Sequence, residues 1–226
     1  MTVRTAMDPL DCQQSYWDKV AGDKRFTHPL QMDRFREVVP PGGTVLDYGC
    51  GYGRICAFLM EHGYRQVIGV DISPEMISRG RRLDSRLDLR HIRNNTLPFE
   101  NDTFDACTLL AVLNCIPTDS GQQALVEALY RVLRPNGILY LSDYPLQPDA
   151  RNTDRYKRYE NAFGQFGVFR LPDGAVLRHH NPDWIYSLLE RFDIIWEDNM
   201  TVLTMNGSKA VIFQIMAVKR PAKGTL

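Results

Sequence analysis

The stretch VLDYGCGYGR, residues Val45 to Arg54, is a short apolar run that ends in an acid and three alternating glycines. The apolar run predicts a buried strand, and the glycines predict a tight turn into a helix. Glycine lets the backbone approach a ligand closely, and free N–H groups at a helix start suit an anionic group such as a carboxylate. The stretch therefore predicts a ligand-binding turn at the end of a strand.

The spacing of the glycines separates two classes of adenosine-binding turn. The NAD-type fingerprint requires glycine or alanine three positions after its second glycine. That position is Arg54 here, so the turn reads G-x-G-x-G. A NAD(P)-dependent oxidoreductase is an alternative that this spacing opposes.

A second acid, Asp71, follows the next apolar run, Gln66 to Val70. A carboxylate at the end of a second strand can accept hydrogen bonds from both hydroxyls of a ribose. The adjacent Ser73-Pro74 pair predicts a helix N-cap followed by proline in the first turn, so the cap does not require Asp71. Asp71 thus indicates an adenosine-containing ligand without choosing which one.

Strand-like runs alternate with helix-period segments along the chain, which predicts βαβ units and a parallel sheet. The runs, in order, are Thr44 to Tyr48, Arg54 to His62, Gln66 to Val70, Pro74 to Arg86, Ala106 to Val112, Gly121 to Arg134 and Ile138 to Ser142. A Ser120 to Gln123 capping box is expected to open the sixth segment, and Pro135 to Gly137 to end it. Asn181-Pro182 opens a further helix, and Asn206-Gly207 predicts a C-terminal antiparallel hairpin.

Taken in order, the motifs D-x-G-x-G-x-G, GVDIS, LPF with FD, and RVLRPNG resemble those of the class I, Rossmann-like S-adenosylmethionine (SAM)-dependent methyltransferases. The likeness spans about residues 42 to 143, and the hairpin extends it to the C-terminus. It implies an α/β fold with a doubly wound, seven-stranded, mostly parallel sheet and an antiparallel C-terminal strand. It also implies SAM as the cofactor.

We expect a single domain over residues 1–226. Within it, the predicted parts are an N-terminal helical cap over 1–41, a cofactor-binding core over 42–144, an acceptor-covering insert after the fifth strand over 145–180, and a C-terminal helix and hairpin over 181–226. No repeat or linker in the sequence indicates a second domain.

Carried over by motif position, the resemblance implies that Asp47 and the glycine-turn backbone hold the methionine moiety and that Asp71 holds the ribose. The full set of expected cofactor contacts is Asp47, Gly49, Cys50, Gly51, Gly53, Asp71, Ile72, Asn94, Asn95, Leu113 and Tyr16. Family members often have an Asp shortly before LPF to contact adenine. This chain has Asn94 and Asn95 there, and an Asn side-chain carbonyl is the candidate replacement. Tyr16 is equally compatible with packing and with covering the cofactor.

Four residues are candidates for a general base, because an acceptor hydroxyl or ammonium must lose a proton during methyl transfer. They are His180, His179, Tyr144 and Asp143, which lie near the end of the fifth strand or at the end of the insert. A purely structural role for the histidines is the alternative.

The insert has its own composition: from Arg151 to His180, basic residues outnumber acids and alternate with aromatic side chains. This mixture predicts a lid over a small acceptor that carries an aromatic or anionic group. The alternative is a solvated helix whose aromatic side chains pack onto the sheet.

Overall composition excludes several other functions. Lys plus Arg equals Asp plus Glu at 27 each, which argues against nucleic acid as a partner. No apolar run approaches the ~20 residues of a membrane span, and the N-terminal residues carry no secretory pattern, so a cytoplasmic protein is expected. Five cysteines without a C-x-x-C pair indicate reduced thiols and no metal site. A non-catalytic adenosyl-binding protein stays open, and the sequence indicates no oligomeric state.

Overall fold

The computed structural model, which describes residues 9–93 and 96–221, contains a seven-stranded sheet with the order β3-β2-β1-β4-β5-β9-β8. Its strands are β1 Thr44–Tyr48, β2 Gln66–Asp71, β3 Asp88–His91, β4 Phe104–Leu110, β5 Leu133–Asp143, β8 Phe192–Leu203 and β9 Lys209–Lys219. Strand β9 is antiparallel to both of its neighbours, whereas the pairs from β3 to β5 are parallel. The predicted doubly wound sheet with an antiparallel C-terminal strand is confirmed.

Helices cover both faces of this sheet. Their bounds are α1 Gln14–Val20, α2 Met32–Val38, α3 Arg54–Glu61, α4 Pro74–Leu83, α5 Asp119–Val132, α6 Ala150–Phe163 and α7 Pro182–Leu188. Helices α2, α3 and α4 contribute to one core cluster, and α5 and α7 to the cluster on the opposite face. Within residues 9–93 and 96–221, no helix has the length and apolarity of a membrane span. Burial on both faces explains why the parallel strands β1 and β4 are nearly continuous apolar runs.

The start of helix α5 corrects the predicted capping box. Thr118 is the N-cap, and its hydroxyl accepts a hydrogen bond from the Gly121 amide at 3.0 Å. Ser120 lies inside the helix, where its hydroxyl cannot serve as the cap. Asp11 accepts a hydrogen bond from the Thr118 amide at 3.1 Å, so a distant segment fixes where this helix begins.

The end of helix α5 also differs from the prediction. The helix ends at Val132, and β5 begins at the next residue, Leu133. The Pro135 to Gly137 segment therefore lies within the long strand β5, where Asn136 adopts a φ of +63°. Asn tolerates this left-handed conformation better than other non-glycine residues do.

The segment between β5 and α7 contains helix α6 and a separate antiparallel pair, β6 Val168–Arg170 and β7 Val176–Arg178. The N-terminal segment contacts this pair through Gln13, whose side chain bonds both the N–H and the C=O of Val176 at 2.8 and 2.7 Å. Farther along, Lys24 and Tyr16 both donate to Asp173 at 2.9 Å. The N-terminal segment and the insert are thus joined by hydrogen bonds.

Candidate active site

A cavity of about 430 Å³ opens at the carboxyl ends of the parallel strands. The sheet end of the cavity includes Asp47, Gly49, Cys50, Asp71 and Ile72. The opposite end is lined by side chains of the N-terminal segment and the insert. This location is where open α/β sheets bind ligands, and the volume is within the range of small-molecule sites.

The three glycines of the turn are required by the backbone and by its neighbours. Gly49, Gly51 and Gly53 have φ values of +70°, +55° and +80°. A Cβ added to Gly49 would lie 2.4 Å from Val112, and one added to Gly51 would lie 2.2 Å from the ring of Phe26. Both distances are far below van der Waals contact, so only glycine fits at either position without a shift.

The amide groups of this turn are mostly engaged within the protein. The N–H groups of Gly49 and Cys50 donate to the carbonyl of Val70 at 2.8 and 3.0 Å, and the Gly51 N–H donates to Asp71. Gly49 and Cys50 line the cavity, whereas Gly51 and Gly53 do not. The turn is therefore held in shape by its own hydrogen bonds before any ligand binds.

Asp71 is positioned by two backbone amides. One carboxylate oxygen accepts from Gly51 at 2.8 Å, and the other accepts from Ser73 at 2.8 Å. Burial raises the pKa of Asp71 to about 6, against the lowering effect of these two bonds. Each carboxylate oxygen has a second lone-pair site, so Asp71 keeps acceptor capacity for a ligand in the cavity.

Asp47 lies deeper in the same wall of the cavity. Its side chain is 2% exposed, and it accepts hydrogen bonds from the Thr108 hydroxyl at 2.8 Å and the Cys56 thiol at 3.4 Å. Burial raises the pKa of Asp47 to about 6, although these bonds and the charge of Arg54 oppose the shift. Such a carboxylate is costly to bury, which favours a function over a purely structural role.

Replacing Asp47 with Asn should stabilise the protein in a pH-dependent way. A pKa raised from 3.8 to about 6 means that the native state binds a proton that the unfolded state has released. The wild type therefore loses stability as pH rises from about 4 to above 6, by up to about 3 kcal/mol at about 1.4 kcal/mol per pH unit. The advantage of Asp47→Asn should grow over this interval in urea denaturation, while exposed Asp154→Asn should show no such trend. An Asp47→Asn advantage independent of pH would contradict the assignment.

Three rings line the end of the cavity that the N-terminal segment and the insert form. The Tyr144 ring stacks on His179 at 5.2 Å between centroids and meets the edge of His28 at 4.8 Å. Burial lowers the pKa of His28 to about 4 and that of His179 well below its usual range, and it raises the pKa of Tyr144. All three side chains are therefore neutral at pH 7.

Helix α6 adds cationic and amide groups to this end. Arg151, Asn152 and Arg155 line the cavity, and the guanidinium of Arg155 lies 3.5 Å above the ring of Phe169. The Nε of Arg155 and the Oδ1 of Asn152 are buried without a hydrogen-bond partner among the described residues. Arg151 donates to the Ser208 hydroxyl at 2.7 Å. The insert thus brings two positive charges and an aromatic ring to the cavity.

Asp143 and His180, two of the four predicted base candidates, do not line the cavity. The Asp143 carboxylate accepts hydrogen bonds from the backbone N–H groups of Tyr144 and Asn114 at 2.8 and 3.1 Å. His180 is fully buried, with its Nε2 3.7 Å from Asp143. The Asp143 carboxylate fixes the loop after β5, whereas both ring nitrogens of His180 are buried without a hydrogen-bond partner among the described residues. Neither side chain lines the cavity, which corrects the expectation from sequence. Tyr144 and His179 do line it.

The remaining expected cofactor contacts comprise one residue that does not line the cavity, two that the structure does not describe and one that lines the cavity. Leu113 is fully buried in the core, and its neighbour Val112 lines the cavity, so a side-chain contact by Leu113 is corrected. Asn94 and Asn95 lie outside the described residues. Tyr16 lines the cavity while its hydroxyl bonds Asp173, which accommodates both packing and covering roles.

Sequence reasoning missed His28 and Phe26, which are among the residues of the N-terminal segment that line the cavity. His28 lies within Thr27-His28-Pro29, a tripeptide without a recognisable motif, and its carbonyl accepts a hydrogen bond from Arg54. Phe26 stacks on Tyr52 at 5.2 Å and covers Gly51. The signal for Phe26 was the glycine itself, which indicated that some group approaches the backbone closely.

The sheet order, the glycine turn and the acid at the end of β2 are those of the class I, Rossmann-like methyltransferase fold. Residues 46–141 match the family model described as a methyltransferase domain.

Known proteins similar to this chain include the ubiquinone biosynthesis O-methyltransferase of Xanthomonas campestris. It is 30% identical over 156 residues, which are 65% of this chain and 64% of that protein. The chain thus spans less than two thirds of that relative's length.

Two solved structures share the fold. A SAM-dependent methyltransferase from Methanosarcina mazei has a TM-score of 0.80 at 23% identity, over 86% of this chain and 100% of that one. The 1,6-didemethyltoxoflavin-N1-methyltransferase of Burkholderia thailandensis, solved with 1,6-didemethyltoxoflavin and S-adenosylhomocysteine, has a TM-score of 0.60 at 17% identity, over 92% and 80% of the two chains.

Proposed function

We propose that this protein transfers the methyl group of SAM to an oxygen or nitrogen of a small acceptor that carries an aromatic ring and an anionic group. The observation that carries the proposal is the continuity of the cavity, which runs from Asp71 at the sheet to Arg155 in the insert. The sheet end suits an adenosine-containing cofactor, and the insert end suits an aromatic acceptor that carries an anionic group.

The sheet end fits SAM by its chemistry. Asp71 has acceptor capacity for ribose hydroxyls, and Ile72 and Ile92 offer apolar surface for adenine. The N-terminus of helix α3, at Arg54 and Ile55, faces the same cavity and suits the methionine carboxylate. Asp47 is the acidic partner for the methionine ammonium, and pairing with that positive charge would offset its burial.

The insert end fits the acceptor. Arg155 and Arg151 provide charge-assisted hydrogen bonds to a carboxylate or phenolate. Phe169, Tyr144 and the imidazole of His179 provide flat surfaces against which an aromatic ring stacks. Two arginines close to the acceptor also lower the pKa of an acidic group on it, so the acceptor is held in its more nucleophilic, ionised form.

The protein's main task in this reaction is alignment. Bound SAM would supply a methyl carbon activated by its positively charged sulfur. The acceptor lone pair would form the new bond to that carbon in line as the carbon–sulfur bond breaks, and the sulfur would keep the bonding electrons. The side chains of the insert hold the acceptor at the correct distance and angle, and this positioning is the main source of rate. The cover formed by the N-terminal segment and the insert excludes water.

The proposal is tested with methyl-labelled SAM and matched acceptors, 4-hydroxybenzoate and its neutral amide, 4-hydroxybenzamide. Arg155→Met should lower kcat/KM for the benzoate by about 10- to 100-fold, since a hydrogen bond to a charged group contributes about 1.5–3 kcal/mol. The same variant should leave transfer to the benzamide nearly unchanged. Lys157→Met, an exposed change on the same helix, is the control.

Two results would contradict this assignment. Equal losses on benzoate and benzamide would show that Arg155 does not recognise the anion. Tight binding of S-adenosylhomocysteine with no transfer to any acceptor of a broad aromatic panel would favour a non-catalytic adenosyl-binding protein.

A further inference from the structure

A buried chain of hydrogen bonds links His179 to the hydroxyl of Tyr156 and to the backbone of Gln147. The Tyr156 hydroxyl lies 2.5 Å from His179 Nδ1, and the same hydroxyl oxygen accepts a hydrogen bond from the backbone N–H of Gln147 at 3.1 Å. Tyr156 is 1% exposed and His179 is 6% exposed, so water does not compete for these bonds. Both partners of Tyr156 are therefore fixed by the protein.

The position of one proton follows from this chain. A phenol carries a single proton, and the Gln147 amide already supplies a donor to its oxygen. If His179 Nδ1 were protonated, it would also donate to that oxygen, and the buried Tyr156 proton would have no acceptor among the described residues. A buried donor without a partner is unfavourable, so the Tyr156 O–H donates to Nδ1 and the imidazole proton lies on Nε2.

The other nitrogen, Nε2, is the one through which His179 can meet a bound molecule, because Nδ1 is engaged by Tyr156. His179 lines the acceptor end, and its Nε2 has no hydrogen-bond partner among residues 9–93 and 96–221. Burial holds the pKa of His179 well below its usual range, and Arg155, His180 and Arg151 lower it further. The ring is thus neutral with one N–H, and its flat face is fixed by the stack on Tyr144.

We infer that Tyr156 holds His179 in the Nε2–H tautomer. His179 then offers a hydrogen-bond donor to an oxygen of the acceptor. Its lone pair, on Nδ1, is occupied by the Tyr156 hydroxyl, so His179 does not act as the general base. The inference rests on the proposed function, because it takes this cavity as the acceptor site. It makes His179 a specificity-determining residue for anionic or carbonyl oxygen, next to Arg155.

The tautomer is measurable without knowing the natural acceptor. In the S-adenosylhomocysteine-bound protein labelled with ¹⁵N-histidine, we expect His179 Nδ1 to resonate as an unprotonated nitrogen and Nε2 as a protonated one, with assignment by His179→Gln. Tyr156→Phe should shift these resonances toward a mixture of tautomers. Tyr159→Phe, on the same helix, is the matched control and should leave them unchanged.

Titration with benzoate tests the donor role, and the Nε2–H resonance should move as the carboxylate enters the cavity. A protonated Nδ1 in the wild type would overturn the inference, whether or not the Tyr156 variant folds. An unchanged Nε2–H resonance across the titration would overturn the donor role. Because the tautomer measurement needs no methyl transfer, its failure and the failure of the acceptor panel are distinguishable.

Discussion

Asp71→Ala is expected to weaken binding of S-adenosylhomocysteine at least 100-fold in a calorimetric titration. The carboxylate is held by the amides of Gly51 and Ser73 with its remaining lone pairs available to the two ribose hydroxyls. Two charge-assisted hydrogen bonds are lost, and each contributes about 1.5–3 kcal/mol. No other predicted substitution removes as much of the cofactor's recognition.

The control for this variant is Asp84→Ala, which removes an acid at the end of the neighbouring helix α4. That change should leave the dissociation constant as it is. Because Asp71→Ala also leaves two amides without their partner, the melting temperature is measured alongside binding. An unchanged dissociation constant with an intact melting curve would show that Asp71 does not contact the ligand.

Gly51→Ala should destabilise the protein by about 2–5 kcal/mol in urea denaturation. A left-handed φ costs a non-glycine residue about 1–2 kcal/mol, and overpacking adds about 1–3 kcal/mol. The new Cβ would lie 2.2 Å from the ring of Phe26, which is itself stacked on Tyr52. The variant should also bind S-adenosylhomocysteine more weakly, because the Gly51 amide positions Asp71.

Substitutions at two other glycines separate the cost of the left-handed backbone from the cost of overpacking. Gly164 has a φ of +68° with nothing within 4 Å of an added Cβ, so Gly164→Ala measures the backbone cost alone. Gly22 has open space and no left-handed φ, so Gly22→Ala should be nearly neutral. If Gly51→Ala costs no more than Gly164→Ala, the close contact with Phe26 has no energetic weight.

Local motifs were sufficient to predict the sheet and five residues that line the cavity at its edge, Asp47, Gly49, Cys50, Asp71 and Ile72. The turn after β1 and the acid at the end of β2 each depend on residues within a few positions of one another, so their spacing alone carries the geometry. The cap of α5 was mispredicted for the opposite reason. Thr118 is held by Asp11, more than a hundred positions earlier, and no local pattern reports such a contact.

The acceptor end shows why adjacent residues are hard to separate by sequence. In extended backbone, successive side chains point to opposite sides. His180 pairs with Pro145 in an isolated bridge, which directs the His180 side chain into the core and leaves His179 at the cavity. The pattern Arg-His-His indicates histidines near the site, but the bridge decides which one faces it.

For the insert, the sequence likewise predicted an excess of basic and aromatic residues but not which of them line the cavity. Arg155 and Phe169 line the cavity, whereas Tyr156 lies behind His179 and Phe166 is 41% exposed. These positions depend on how helix α6 packs against the β6 and β7 pair, with Phe169 beneath the Arg155 guanidinium. An excess of basic and aromatic residues cannot encode that packing.

We expect one cavity to hold the cofactor at Asp71 and to present its methyl group to the insert. A crystal structure of the protein with S-adenosylhomocysteine is the most direct test. We predict ribose hydroxyls within hydrogen-bonding distance of Asp71 and a sulfur atom that faces Tyr144, His179 and Phe169 across the acceptor end. A ribose away from Asp71, or a sulfur far from every aromatic side chain between Tyr156 and Phe169, would contradict the account.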